Sequence, residues 1–269
     1  MHASGPTVER HVRGQVGPLA HSRAILRARG DRLISSMPSF GRRIALTFDD
    51  GPDPRWTPRI AAVLHRLQVP ATFFMIGSQA QRHADTVRGL EDGGFEVANH
   101  TFTHADLSAL PAWRARTELA LTDATIVGLT GHHARFFRPP YSATPDVVTP
   151  RQEQSLARAA GDRYLVAISN LDSEDWRRKG VRSIVAHATP AGRTGGIILM
   201  HDGGGDRSQT VAALRELIPR LRARGFTFVS LTDIAGLSRS AVTPRPRLGS
   251  ASGRTSSSGA HGWAFCSCG

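Results

Sequence analysis

The chain is 269 residues long, 40% apolar and 21% charged, which gives room for one large domain or two small ones and excludes disorder throughout. No apolar run approaches the ~20 residues of a membrane-spanning helix, and the Arg- and His-rich start, Met1 to Arg29, shows no apolar core of a signal peptide, so the sequence as written reads as soluble and without an export signal. The net charge of +12 sits mostly at the ends, +6 over residues 1–43 and +4 over 237–269, so the near-balanced middle offers no basic face for nucleic acid.

Residues 1–41 mix Gly, Pro, Arg and Ser without periodicity and are expected to form a basic, poorly ordered segment. A domain is expected over 42–236, followed by a Ser/Gly/Arg-rich tail over 237–269. Within the domain, short runs rich in Ile, Val, Phe and Leu predict strands at Ile44–Phe48, Ala71–Ile76, Phe95–Ala98, Arg135–Arg138, Tyr164–Ile168, Gly196–Met200 and Thr227–Leu231. Amphipathic stretches predict helices near 57–68, 79–92, 111–129, 149–160, 180–188 and 208–224, with Pro219 expected to kink or interrupt the last. Continuous apolar strands alternating with helices point to an α/β fold with a covered parallel sheet. Seven strands fall short of the eight of a regular barrel, which favours a distorted (β/α) barrel of about seven parallel strands.

Residue usage removes several chemistries. The single lysine, Lys179, excludes a phosphate-cradling G-x-x-x-x-G-K-[ST] loop, and no G-x-S-x-G elbow is present. The two cysteines, Cys266 and Cys268, lie at the extreme end and cannot staple the core. Chemistry is left to Asp, Glu, His, Arg and Tyr.

Those residues gather just past the C-terminal ends of predicted strands: Asp49-Asp50, Asn99-His100, Arg138-Pro-Pro-Tyr141, Asp172 to Trp176 and His201-Asp202. This is where α/β folds place their active sites. His100 and His104, four apart, can face one point and suit Zn, Fe, Cu or Ni. With one of the adjacent acids they make a three-ligand site with open positions. That arrangement fits a water-activating metal or the facial triad of an Fe(II) oxygenase. The spare carboxylate favours hydrolysis, which needs a base. His201, ending a buried strand, has the pKa range to protonate a leaving amine, although a third metal ligand or a structural role remains open. Asp172, Ser173 and Asp175-Trp176 offer an acid to orient His201 and an indole for a sugar ring. Gly203-Gly-Gly205 reads as a loop turning closely past the site, and His65, His132, His133 and His187 as loop or helix-face residues.

Thr47-Phe-Asp-Asp50-Gly-Pro, His100-Thr-Phe-Thr-His104, Arg138-Pro-Pro-Tyr141, Asp172-Ser-Glu-Asp-Trp176 and Leu199-Met-His201 resemble the five ordered motifs of the polysaccharide deacetylases, the NodB-homology group of carbohydrate esterase family 4. The resemblance spans about residues 42–235. It implies a distorted (β/α) barrel and a divalent metal, Zn2+ first with Co2+ as an alternative. The implied activity is removal of acetyl groups from an N-acetylglucosamine-containing oligo- or polysaccharide. It also implies Asp49 as general base, Asp50, His100 and His104 as metal ligands, and His201 as general acid. Arg138 would position Asp49, Asp175 would tether His201, and the Tyr141 backbone N–H would hold the oxyanion. Leu199 and Trp176 would form the apolar wall for the acetyl methyl. The expected partner is the acetylated amino sugar, with no nucleic acid and no membrane segment, bound by a monomer. The sequence as written reads as cytoplasmic, whereas the resemblance implies an extracytoplasmic or cell-surface setting. Readings that stay open are a deacylase of a small amide, a non-catalytic glycan-binding module and the oxygenase.

Overall fold

The structure, a computed structural model, describes residues 24–35, 39–141, 144 and 148–237. The Cys266/Cys268 pair and the tail from Ser238 lie outside the described residues, as does the segment before Ala24. The described chain opens on a hairpin, β1 (Ile25–Arg29) and β2 (Arg32–Ser35), and then alternates. β3 (Arg43–Gly51) leads to α1 (Thr57–Arg66), and β4 (Ala71–Met75) to α2 (Gly77–Arg82) and α3 (Ala84–Asp92). β5 (Glu96–Asn99) leads to α4 (Ala112–Thr130), and β6 (Phe136–Phe137) to α5 (Pro150–Ala160). β7 (Leu165–Ala167) and β8 (Leu171–Asp172) precede α6 (Val181–His187). β9 (Gly196–His201), α7 (Ser208–Ala223), β10 (Thr227–Phe228) and α8 (Leu231–Ile234) complete it.

Across the sheet the order is β2-β1-β7-β6-β5-β4-β3-β9-β8, with β10 pairing the start of β3. Every pairing from β7 to β8 is parallel, and only the hairpin runs against its neighbour. The two ends of this order are not paired with each other, so the sheet makes a distorted, open (β/α) barrel.

The period-2 alternation of strand side chains organises both the core and the site. On β3, Ile44, Leu46 and Phe48 face outward into the large apolar cluster under the helices, while Ala45 faces the smaller interior cluster. Thr47 and Asp49 continue that inward face. β9 repeats the pattern, with Ile198 and Met200 outward, Ile197 inward, and Leu199 and His201 following on the inward side. Phe74, Ala98, Phe136 and Ala167 line the same interior from β4 to β7. The inward series therefore ends, strand after strand, in Asp49, His201, His100 and Arg138.

Four details depart from the sequence expectations. Residues 25–35, inside the segment expected to lack order, form the β1–β2 hairpin, paired antiparallel to β7. Its two-residue loop is Gly30-Asp31 with Gly30 at φ 60°, and the Glu153 carboxylate of α5 accepts the Leu33 N–H at 2.9 Å. The high arginine content hid a strand whose Ile25, Leu26 and Ala28 are all buried. β8 was also unforeseen, because two residues carry no periodicity. The helix expected over 79–92 is broken at His83, whose backbone leaves the helical region at ψ 46°. Finally, α7 runs unbroken through Pro219. Pro219 and Arg215 are both exposed, so the carbonyl that loses its N–H partner faces solvent while Leu214, Leu217, Ile218 and Leu221 stay buried.

If the hairpin belongs to the cooperative fold, truncating the fully buried Leu26 to Ala should cost about 2–5 kcal/mol in urea denaturation, within a single transition. A loss below about 0.5 kcal/mol, the level of an unremarkable surface change, would make the hairpin peripheral.

Candidate active site

Two adjacent acids serve different directions because the strand carrying them is bulged. Along β3, Asp49 pairs with Phe74 and Gly51 with Met75, so Asp50 is the extra residue, in a left-handed conformation at φ 73°. A bulge of this kind re-aims one side chain, and aspartate tolerates the conformation better than most residues. The turn is close-packed: a Cβ on Gly51 would lie 2.1 Å from the Asp202 carboxylate, and one on Gly203 would lie 2.1 Å from the Asp50 carbonyl. The glycine-rich loop after His201 thus passes against the site as its sequence suggested.

The Asp50 carboxylate meets both histidines of the H-x-x-x-H segment, with Oδ1 at 3.5 Å from His100 Nε2 and 3.1 Å from His104 Nε2. The other ring nitrogens are occupied, His100 Nδ1 on the Arg138 carbonyl at 2.8 Å and His104 Nδ1 against the Tyr141 hydroxyl at 3.1 Å. Outer partners on Nδ1 leave Nε2 of each ring as the ligand nitrogen. One ligand atom from each of Asp50, His100 and His104 lies within 4.8 Å of the others, the single such cluster among the described residues. An anionic oxygen with two neutral imidazoles in this span fits a three-ligand divalent metal centre. Burial pushes the Asp50 carboxyl up, but the hydrogen bonds to His100 and His104, helped by the charge of His201, outweigh it and hold Asp50 well below the usual carboxylate range.

The histidine loop is itself held from below. Thr101 and His104 both have positive φ, at 66° and 59°. Asn99 accepts the Thr101 N–H at 3.0 Å and donates to the Leu119 carbonyl at 2.9 Å. Glu118, buried on α4, accepts the Phe102 and Thr103 N–H groups at 2.9 and 2.8 Å and the Thr103 hydroxyl at 2.9 Å. Nothing in the sequence singled out Glu118. It sits mid-helix, and only the fold brings it under the loop.

Next to this cluster Asp49 is fixed by Arg138. The guanidinium donates from Nη1 to Asp49 Oδ1 at 2.8 Å and to the Thr47 hydroxyl at 2.7 Å, and from Nε to the Ala167 carbonyl at 3.1 Å. It also lies 4.3 Å over the Phe74 ring. Asp49 Oδ2 is left facing the centre, 3.9 Å from His100 Nε2. His201, in turn, is fixed by Asp175, with Nδ1 to Oδ1 at 2.6 Å, and Asp175 Oδ2 accepts the His201 N–H at 3.0 Å and the Thr210 hydroxyl at 2.7 Å. Asp49 and His201 are register partners on adjacent parallel strands. Burial alone would lower the His201 pKa, but Asp175, with further help from Asp50 and Asp49, pushes it up to about 9.

Leu199 is buried on the same strand face as His201. Tyr141, at φ 60°, and Trp176 are about half exposed, Tyr141 touching His104 through its hydroxyl and Trp176 following Asp175 with the Arg177 guanidinium 4.7 Å from its ring. A further buried acid, Asp202, has only a neighbour's role in the sequence reading. Burial and the charges of Asp50 and Asp49 push it up to about 7 despite the Thr57 hydroxyl on Oδ2, and its Oδ1 has no hydrogen-bond partner among the described residues. His133, His132 and His187 face Asp123, Glu91 and Glu174, away from this cluster.

A distorted (β/α) barrel with an Asp/His/His cluster beside a tethered carboxylate and a tethered imidazole carries the groups that metal-assisted acid–base chemistry uses. The comparisons narrow this further. The polysaccharide deacetylase family profile matches residues 38–160. A peptidoglycan-N-acetylglucosamine deacetylase of Bacillus cereus is 36% identical over 198 residues, covering 74% of this chain and 90% of that one. A chitooligosaccharide deacetylase of Rhizobium leguminosarum bv. trifolii is 39% identical over 202 residues, covering 71% and 90%. Among solved structures, a peptidoglycan N-acetylglucosamine deacetylase superposes with a TM-score of 0.67 at 29% identity, over 76% of this chain and 92% of that one. The chain belongs to the polysaccharide deacetylase family, the NodB-homology group of carbohydrate esterase family 4.

Glu118→Ala would free three donors of the histidine loop at once. Metal affinity, measured by competition with a chromophoric chelator, should fall about 10–100-fold, as for lost outer partners of metal ligands, with the far-ultraviolet circular dichroism retained. Unchanged affinity would show that the loop holds its shape without the carboxylate.

Proposed function

We propose that the protein hydrolyses the N-acetyl group of N-acetylglucosamine-containing oligo- or polysaccharides, releasing acetate and leaving the free amine. The observation that carries this reading is the tethering of Asp49 by Arg138 and of His201 by Asp175, neighbours across β3 and β9, beside Asp50, His100 and His104. A hydrolase of an amide needs a base on one side of the carbonyl carbon and an acid at the leaving nitrogen.

A divalent cation held by Asp50, His100 and His104, with Zn2+ the first choice for this donor set and Co2+ an alternative, supplies Lewis acidity that lowers the pKa of water and polarises the acetyl carbonyl. Asp49, with Oδ1 immobilised on Arg138, takes the proton of the attacking water at Oδ2. The Tyr141 backbone N–H donates to the carbonyl oxygen as it gains charge. His201 holds its proton at Nε2, because Nδ1–H is committed to Asp175, and delivers it to the sugar nitrogen as the C–N bond breaks. Leu199 and Trp176 wall the space for the acetyl methyl and keep bulk water from it. The family relatives named for peptidoglycan and chitooligosaccharides support an amino-sugar glycan as substrate.

Acetate release from N-acetylglucosamine oligomers should appear with added Zn2+ or Co2+ and stop with a chelator. Asp49→Asn should lower kcat by at least about 100-fold, the scale of a lost general base, while metal content stays unchanged. Metal-loaded, folded protein that releases no acetate from any oligomer would overturn the substrate assignment and favour a small amide.

The pH profile offers a second check. His201 is active as the protonated form, and its raised pKa keeps that form present until pH passes the folded value. Cation binding engages the Asp50 charge and removes its share, so the alkaline limb is expected between the ordinary 6.5 and about 9. Asp175→Asn removes the main support and should move that limb towards neutrality; a limb that does not move would deny His201 the role of acid.

A further inference from the structure

Beside the mouth of the barrel, on its outer surface, α1 and α7 enclose a groove of about 520 Å3. α1 follows the strand that ends in Asp49 and Asp50, and α7 follows the strand that ends in His201, so the groove starts at the rim of the catalytic mouth. Arg55, Trp56 and Ser208 form that upper end, Arg59 lies one turn below, and Arg66 and Arg215 form the lower end. With a rise of about 1.5 Å per helical residue, Arg59 and Arg66 are about 10 Å apart along the helix axis.

All four arginines are exposed, and none pairs with a carboxylate among the described residues. Two acids close to Arg55 in sequence or space, Asp53 and Asp206, also hold other groups, although Asp206 lies within charge range of Arg55 and Glu216 follows Arg215 on α7. Asp53 Oδ1 accepts the Arg55 and Trp56 N–H groups at 2.8 and 2.9 Å, and Asp206 pairs with Arg178 at 2.6 Å. Further along, Arg222 and Arg224 are tied to the Leu67 and Pro190 carbonyls, so free guanidinium groups are not the rule on this face. Arg55 and Arg59 lie 4.6 and 5.2 Å from the ring centre of the buried Trp56. Stacking on an indole fixes the plane of a guanidinium while leaving its N–H edge for a bidentate anion. Four unpaired like charges along one groove repel one another, and a ligand with several negative groups relieves that repulsion.

We infer that this groove binds acidic substituents, carboxylates or phosphates, borne by the same glycan whose acetylated sugar enters the mouth. The inference rests on the deacetylase reading and narrows its substrate to an anionic amino-sugar polymer rather than a neutral one. The test compares the holoenzyme with the triple variant Arg59→Gln/Arg66→Gln/Arg215→Gln, which leaves every residue of the catalytic centre in place. The substrates are a neutral N-acetylglucosamine oligomer and a peptidoglycan fragment of equal sugar length with free stem-peptide carboxylates. The variant should raise KM for the acidic fragment by about tenfold, the scale of several exposed charge contacts. Its kcat should stay, and both constants for the neutral oligomer should be unaffected. Raising salt from about 50 to about 500 mM should do the same to the unmodified enzyme, because exposed charges are screened.

Methyl-esterifying the stem-peptide carboxylates should abolish the difference if they are the anions read. An arginine-dependent KM seen instead on a phosphate-bearing acetylated glycan assigns the groove to phosphate. Equal changes on neutral and acidic substrates, or none on any, overturn the inference. If no substrate releases acetate, the deacetylase reading fails separately, and the groove is judged by binding of the acidic fragment to chelated protein. Salt-sensitive binding lost in the variant upholds it, and binding equal in both proteins overturns it.

Discussion

Taking the Arg138 guanidinium out of water costs several kcal/mol of hydration, and the barrel interior offsets that through Asp49, Thr47, the Ala167 carbonyl and the Phe74 ring, with the charge of Asp172 adding to Asp49. Burial lowers the Arg138 pKa, and the charge and hydrogen bond of Asp49 oppose that lowering. The rest of the mouth depends on this pair. The Arg138 carbonyl orients His100, its Nε anchors the end of β7, and the Thr47 hydroxyl it contacts donates onward to the Ile198 carbonyl of β9 at 2.7 Å. Removing Arg138 would therefore leave a buried carboxylate without a partner and loosen three strand ends together.

The two sides of the centre use opposite charge logic. Asp49 is an anion stabilised by a buried cation, whereas His201 is an imidazole whose proton is stabilised by a buried anion, Asp175. Burial pushes the Asp175 carboxyl up, but His201 and the Thr210 hydroxyl outweigh it and hold Asp175 low, so the pair shares charge rather than exchanging it. Asp202, a third carboxyl near the two acids of β3, escapes a further repulsion by titrating near neutrality. Four acids, Asp49, Asp50, Asp175 and Asp202, thus coexist with the His201 imidazole in a small buried volume because their surroundings differ.

Much of this was legible in the sequence for one reason. A parallel strand alternates strictly, so an apolar run ending in Asp49, His100, Arg138 or His201 declares both the strand and the end at which the site lies. The bulge at Asp50 was not legible, although the adjacency of two acids required something like it. The β1–β2 hairpin escaped because its exposed positions are arginines, which swamped a short alternation of Ile25, Leu26 and Ala28. Glu118 escaped because its role is set by the packing of α4 under the histidine loop, and an acid at that helical position looks like any solvated residue. Pro219 misled in the other direction: a local rule gave way because the missing hydrogen bond falls on the solvent side of an otherwise buried helix.

Net charge shows the same contrast between composition and placement. The near-balanced middle of the chain gives no hint of a basic feature, because its acids offset its arginines in the sum. In the fold Arg55, Arg59, Arg66 and Arg215 form no ion pair with an acid among the described residues, while many acids cap turns, pair with other arginines or sit inside the mouth. Since β3 and β9 are neighbours, the helices that leave them are neighbours too, and the groove between α1 and α7 opens beside the acid–base pair. Charge in that groove acts on whatever chain leads away from the sugar in the mouth. As a site for the glycan's anions it would be a binding element, changing how the polymer is held without altering how the amide is cleaved.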